Sequence, residues 1–441
     1  MRTIRPPRVL ALLRAYESPN VTYIEPDGSW PIVWERARGL HVWDAAGRKY
    51  LDLTAAFGVA AAGHANPRVV RAGQQQMARL LHAMGDVHPH ALKAQLAREL
   101  SRLTFERWGS KRKLTAKTIF CNSGFEAVEA ALKTAMLVTE KPGVIAFSGG
   151  YHGLGYGALN ATHRQHFRAP FVRQLREFAH FVAFPTSVQM LDLVESRIRQ
   201  ILRRKPIGAI LVEPVQVRGG INIPPPGFLP MLRRVCDEGK ALLILDEIYT
   251  GFGRTGEWFA CERSRTVPDV ICVGKALTGG FPLSACIGRA SLMDAAWPRS
   301  TGEAIHTSTF LGHPVGCAMA LAQIEEIQSK KLVARSAKLG PLLLSALETL
   351  SARSSALKLK ARCLGLLAGM EFQLLNGKPA TTIVLQVTKQ MLHRGFILLP
   401  EGEHSNVLGF TPPLSITGSQ ILSVVDALGD VLANVMDHFE P

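Results

Sequence analysis

Three stretches place reactive side chains directly after short apolar runs. Lys275 follows VICVG (270 to 274), Asp246 closes LLILD (242 to 246), and Ser123, Gly124 and Phe125 follow TIFC (118 to 121) and open EAVEAALKTA, with Glu126 and Glu129 read as its first-turn acids. Each has a plain reading on its own. A serine between a strand and a helix is an ordinary cap, an aspartate there caps a helix or pairs with a cation, and a lone lysine is usually solvated. Each also has a chemical reading. Backbone N–H groups and a hydroxyl at a helix N-terminus bind phosphate. A carboxylate at the carboxyl end of a parallel strand stands where open α/β sheets take ligands. A lysine desolvated at such an end becomes an amine nucleophile.

Taken together, a phosphate cup, an acid and a lysine at successive strand ends are what pyridoxal phosphate requires: its phosphate clamped, its aldehyde bonded to the amine, its ring nitrogen held protonated. Tyr151 in FSGGYHG has a ring able to cover one cofactor face and Ile248 a side chain able to pack the other, with core packing as the alternative for both.

The apolar runs that precede these residues must be the strands that hold them. TIFC, GVIAF (143 to 147), AILVE (209 to 213), LLILD, VICVG and SACIG (284 to 288) alternate with helical stretches, which predicts an α/β layer with a largely parallel sheet covered on both faces. Residues 76–325 are expected to form this large domain. Residues 1–75, with a hairpin signal in VWDAAGRKYLDL (42 to 53), and 326–441, opening on a long helical pattern from IEEIQ to SALETL, are expected to join as a smaller α+β domain.

Composition narrows the class. The 441 residues are 47% hydrophobic and 20% charged, which excludes a wholly disordered or collagenous chain. No run reaches the ~18 uninterrupted apolar residues of a membrane span. The net charge of +16 is scattered over small clusters (Lys111 to Lys113, the arginines at 164, 168, 173 and 176, Arg203 to Lys205, Lys330-Lys331) without a recognisable nucleic-acid motif, so these read as solvated faces and neither nucleic acid nor membrane is expected as a partner. The seven cysteines form no Cys-x-x-Cys pair; reduced thiols in a cytoplasm are expected, and no metal. The basic N-terminus reads as an amphipathic surface helix rather than an address label.

Motif order adds a resemblance. NSGFEAVEAALKTA, FSGGYHG, VEPVQ (212 to 216), LDEIYTGFGRTG (245 to 256), PDVICVGKALTGGFPLSA (268 to 285) and HTSTFLGHPVGCAMALA (306 to 322), flanked by LDLTAAFGVAAAGHANP (51 to 67) and EGEHSNVLGFTPPLSIT (401 to 417), resemble the class-III aminotransferases of pyridoxal-phosphate fold type I. The resemblance implies Lys275 as the Schiff-base lysine, Asp246 as the ring-nitrogen partner, Ser123, Gly124 and Phe125 as the phosphate cup, Tyr151 as the stacking ring, and His152 beside it as a hydrogen-bonded histidine. It implies a homodimer in which Thr309 serves the neighbour's phosphate site. It further implies that Glu213 gates the site by pairing with a substrate-binding arginine, a structural acid bonded to nearby backbone or to a cation being the alternative, and that Arg254 is structural, tying loop carboxylates or the interface.

Departures from the pattern bear on substrate. Gly409 stands where 4-aminobutyrate-type and ornithine-type relatives carry a carboxylate-binding arginine, Tyr249 stands where many carry glutamine, and Phe125 is bulkier than usual. Phe57 and Gly409 imply a roomy apolar pocket, for which Arg218 or an arginine of 164 to 176 would have to read any carboxylate. The expected reaction moves an amino group from a primary amine or ω-amino acid to a keto acid or aldehyde. An aminomutase, epimerase or lyase on the same scaffold is the alternative, and a non-catalytic anion-binding protein a remoter one.

Overall fold

The computed structural model describes residues 6–109 and 114–438; the cluster Lys111 to Lys113 lies outside them. The strands are β1 (Trp34–Arg38), β2 (His41–Asp44), β3 (Lys49–Asp52), β4 (Ala116–Cys121), β5 (Gly143–Phe147), β6 (Ala179–Val182), β7 (Ile207–Val212), β8 (Leu242–Asp246), β9 (Val270–Val273), β10 (Ser284–Arg289), β11 (Leu357–Leu364), β12 (Leu367–Leu374), β13 (Phe396–Ile397), β14 (Leu399–Glu401) and β15 (Val407–Phe410). The central sheet has the order β4-β10-β9-β8-β7-β5-β6. All its neighbours run parallel except β10, antiparallel to both β4 and β9. β5, β7, β8 and β9 are buried at every residue, as continuous apolar runs require when helices cover both faces. β6 was not among the expected strands, because AHFV is short and carries a polar histidine.

The expected hairpin is present as β2 and β3, turned at Gly47, whose φ of 85° suits a residue without Cβ. It forms a sheet with β1 and with β13 from the far end of the chain, Phe396 opposite Leu51. A third sheet has the order β11-β12-β15-β14. The helices Pro67–Arg79 and Pro314–Ser329 run through the expected boundaries at 75/76 and 325/326. The single long helix expected after 326 is two: Pro314–Ser329 ends, Lys331 takes a left-handed φ of 51°, and Leu332–Arg353 follows with Pro341 inside it. The closing helix Gly418–Asp437 is long and apolar enough in composition to cross a membrane, but its stripe Ile421, Val424, Val425, Leu428, Val431, Leu432 and Val435 is buried in this fold, the pattern of a core helix.

Candidate active site

Five loops leave the carboxyl ends of β4, β5, β7, β8 and β9 at one edge of the central sheet, and they carry Ser123, Tyr151 with His152, Glu213, Asp246 and Lys275. Asp246 is 4% exposed. Its Oδ1 accepts the Ile248 N–H at 3.1 Å and its Oδ2 lies 2.8 Å from His152 Nδ1. Burial lowers the His152 imidazole, but its hydrogen bond to Asp246 and that group's charge outweigh this, so it titrates above its ordinary value. Lys275 is held at φ 42° just past β9. Burial depresses its amine, against the opposing charges of Asp246 and Glu213, which favours the neutral, nucleophilic form.

The helix Gly124–Thr139 starts at Ser123. Glu126 turns back to accept the N–H groups of Asn122 and Ser123 at 2.6 and 3.2 Å. Glu129 is not a first-turn acid: it accepts the N–H groups of Gly157 and Ala158, at 2.8 and 3.0 Å, and so holds the start of the helix Tyr156–Ala161. Ser123 Oγ is buried and finds no hydrogen-bond partner among the described residues, beside the first N–H groups of the helix, which have none within it. That orphaned hydroxyl at a positive helix end fits a phosphate. Phe125 is accommodated because Gly153 and Gly155 face it; a Cβ on either would come within 2.5 Å of Phe125 atoms. Ile248 lies between the phosphate cup and the lysine loop, with its Cδ1 3.0 Å from where a Gly124 Cβ would stand and its Cγ2 3.5 Å from one on Gly274. Tyr151 packs edge-on against Phe167 at 5.5 Å. The Tyr249 ring stands 4.8 Å from Lys275 Nζ. These donors fit pyridoxal phosphate.

Other expected residues divide. Among the described residues Glu213 pairs with no arginine: its oxygens accept the backbone N–H groups of Tyr151 (2.9 Å) and Val217 (3.2 Å), and burial pushes it up to about 7. Arg218 instead pairs with Glu401, Nη1 to Oε2 at 3.0 Å. Sequence reasoning had no signal for Glu401, which lies 183 residues away. Arg254 is structural but binds no carboxylate among the described residues; its Nη1 donates to the carbonyls of Leu366 (2.9 Å) and Pro412 (2.5 Å). Gly409 is buried in β15, and its φ is not left-handed. A Cβ there would sit 3.2 Å from Glu401 Cγ, so space rather than backbone conformation governs that position. Among the arginines of 164 to 176, Arg168 is buried against Glu177. Thr309 is exposed; its neighbour Ser308 lies 3.4 Å from Asn122, beside the phosphate cup.

Phe57, 52% exposed, lies on a feature that the sequence did not show. Ala55, Ala56, Phe57 and Gly58 all have positive φ (45°, 48°, 61° and 80°), a left-handed turn that non-glycine residues resist. The buried Asp52 fastens it by accepting from Thr54 N–H (2.8 Å), Thr54 Oγ1 (2.6 Å) and Ala56 N–H (3.0 Å), with His64 Nε2 2.7 Å from its other side. Gly58 then lies against Tyr249, whose Cε1 would be 2.8 Å from any Cβ there.

The family model for class-III aminotransferases matches residues 23–432. An acetylornithine aminotransferase of Methanosarcina mazei is 35% identical over 401 residues, 91% of this chain and 92% of its own. A putrescine aminotransferase of Pectobacterium atrosepticum is 36% identical over 435 residues, 96% and 88%. Among solved structures, a Bacillus anthracis aminotransferase superposes with a TM-score of 0.88 at 25% identity, covering 97% of this chain and 98% of its own. An ornithine aminotransferase from Toxoplasma gondii gives 0.83 at 26%, covering 98% and 96%.

Proposed function

We propose that this chain, which belongs to the class-III aminotransferases and so transfers amino groups with pyridoxal 5'-phosphate, takes primary amines or ω-amino acids as donors and keto acids or aldehydes as acceptors. The observation that carries the donor reading is at Gly409: the expected arginine is replaced by a buried glycine, and the nearby Arg218 is already paired with Glu401. A short carboxylated donor therefore meets no arginine at position 409, and Arg218, the guanidinium beside it, already has a carboxylate partner. The relatives named for acetylornithine and putrescine support an amine at the end of an aliphatic chain.

In this reading Lys275 holds the cofactor aldehyde, Ser123 with the Gly124 and Phe125 N–H groups holds the phosphate, Asp246 the ring nitrogen, and Tyr151 and Ile248 the two ring faces. When bound, the cofactor supplies an electron sink for the charge left on the donor carbon. Once a donor amine has displaced it from the aldehyde carbon, Lys275 Nζ, deprotonated with the help of burial, would be the base placed to accept the donor carbon's proton and the acid to give one back. His152 holds Asp246 oriented and charged toward the ring nitrogen.

The proposal includes a homodimer with Thr309 donated across it. Exposed Leu80, Leu81, Met84 and Val87 adjoin Phe310, whose ring is 5.4 Å from His82, an apolar surface beside Thr309 that a second copy would cover. Seven free cysteines, six of them buried, support a reducing cytoplasm as the setting. An amine-donor panel with pyruvate, 2-oxoglutarate and aldehydes tests the reading. It is overturned by fastest turnover with 4-aminobutyrate or glutamate, or by turnover that needs no carbonyl acceptor, which the aminomutase or lyase alternative requires.

A further inference from the structure

Tyr249, on the loop after β8, turns its ring toward Lys275, whose Nζ stands 4.8 Å from the ring centre. Its hydroxyl is already committed. Thr411 Oγ1 lies 3.0 Å from the Thr54 carbonyl and 3.3 Å from the Tyr249 oxygen. A carbonyl can only accept, so the single threonine proton goes to Thr54, and Tyr249 must donate its own to Thr411. That leaves no phenolic proton for the lysine. Burial pushes the phenol up to about 12, so the ring stays neutral. The ring is also fixed in place. Thr411 is buried, with its N–H donating to the Leu53 carbonyl at 2.7 Å. The ring edge rests on Gly58, where a Cβ would come within 2.8 Å of Cε1, and packs against Val215, Val217, Ile221 and Leu367. Among the described residues Lys275 Nζ has no hydrogen-bond partner. Asp246 at the end of β8, Glu213 after β7 and Glu401 at the end of β14 act on it through charge alone, opposed by Arg218.

An amine that carries a proton between two carbons has two needs that conflict. It must be neutral to accept the proton, and must then hold it as an ammonium in a site where burial disfavours charge. A carboxylate in hydrogen-bonding contact would hold that ammonium firmly and compete for its proton. An aromatic face attracts a cation, has no site for a proton, and leaves the neutral amine alone. We propose that the Tyr249 face is the seat of the Lys275 ammonium, a positioning contact made in the protonated state only, which stabilises that state between the two proton transfers. This rests on the reading of Lys275 as the amine that holds the cofactor and carries the proton.

The test uses holoenzyme loaded with pyridoxamine phosphate, in which Lys275 is free. Pulses of acetic anhydride over a series of pH values, followed by mass spectrometry of the Lys275 peptide, give the midpoint at which that one amine loses its proton. Removing the aromatic face lowers the midpoint, because the ammonium loses a stabilising contact and the neutral amine loses none. Tyr249→Leu is expected to lower it by about one pH unit, the scale of a desolvated cation–π contact. Tyr249→Phe keeps the face and is expected to move it by less than about 0.3 unit. Should Tyr249→Leu fail to fold, the ring of Tyr249→Phe carrying two or three fluorines has nearly the same size and a less negative face, and lowers the midpoint stepwise with fluorine number. Equal shifts in the leucine and phenylalanine variants, an unmoved midpoint in Tyr249→Leu, or no dependence on fluorine number overturn the proposal. Borohydride trapping of the pyridoxal phosphate form identifies the lysine that holds the aldehyde. A trap on another residue overturns the functional reading of Lys275 and the seat together; a trap on Lys275 with an unmoved midpoint overturns the seat alone.

Discussion

Lys275 and Asp246 occupy the ends of adjacent strands, and their neighbours differ in kind. Among the described residues the lysine has no hydrogen-bonding partner to keep it charged; the aspartate has His152 at 2.8 Å and the Ile248 N–H. Lys275→Ala is expected to abolish turnover and the absorbance of lysine-bound cofactor while leaving the melting transition cooperative. A reducible covalent adduct surviving in that variant would show that another amine serves. Asp246→Asn is expected to keep cofactor bound through its phosphate and to lose on the order of a few kcal/mol of transition-state stabilisation, because an amide does not hold a proton on a ring nitrogen. Near-normal single-turnover rates would exclude that role. Both residues were legible because each lies within one contiguous motif after an apolar run. Glu213 was placed at a strand end, and of its two expected roles the structure shows the structural acid bonded to backbone, its oxygens taken by the N–H groups of Tyr151 and Val217 rather than by an arginine.

The turn Ala55–Gly58 positions Phe57 and Tyr249 at a conformational cost. A left-handed residue other than glycine costs roughly 1–2 kcal/mol, and the hydrogen bonds to Asp52 offset this. Ala56→Gly removes that strain but adds freedom to the unfolded chain, so it is expected to leave stability unchanged or raise it by about 0.5 kcal/mol, as read by denaturant titration. A loss of more than about 1 kcal/mol would mean that the turn is not strained. The motif LDLTAAFGVAAAG was recognised, yet its handedness was not, because alanines read as helix formers and only the carboxylate two residues upstream of Thr54 reverses them. The same limit explains the helix pair broken at Lys331, where no glycine or proline marks the stop.

For the molecule as a whole, stability should respond to pH through Glu247, buried beneath the site. Burial pushes it up to about 7, against hydrogen bonds from Thr250 and the Ala260 and Cys261 N–H groups. Its folded value lies above the ordinary 4.5, so the stability it lends is whole below about 4.5 and is lost as pH rises through 7, on the order of 3 kcal/mol in all. Melting temperatures of Glu247→Gln should therefore fall less between pH 5 and 8 than those of wild type; parallel curves would refute the linkage. Association is the second property of the whole. Sedimentation should give about twice the 48.1 kDa chain mass, and Phe310→Glu should shift the population toward monomer with loss of cofactor. A monomeric, cofactor-loaded wild type would exclude the shared site.

The amino-acid order alone determined the parallel sheet, the strand ends at Asp246 and Lys275, the strand-to-helix turn at Ser123 and the cofactor, because each depends on residues adjacent in the chain, where apolar runs and their terminal polar residues are read directly. Only the tertiary structure decided that Arg218 meets Glu401, that Asp52 and His64 clamp the left-handed turn, and that Gly58 yields to Tyr249. The first and last of these contacts join elements far apart in sequence, and even the short-range clamp on the turn depends on which way side chains point once the loops pack against one another, a property that no local pattern encodes.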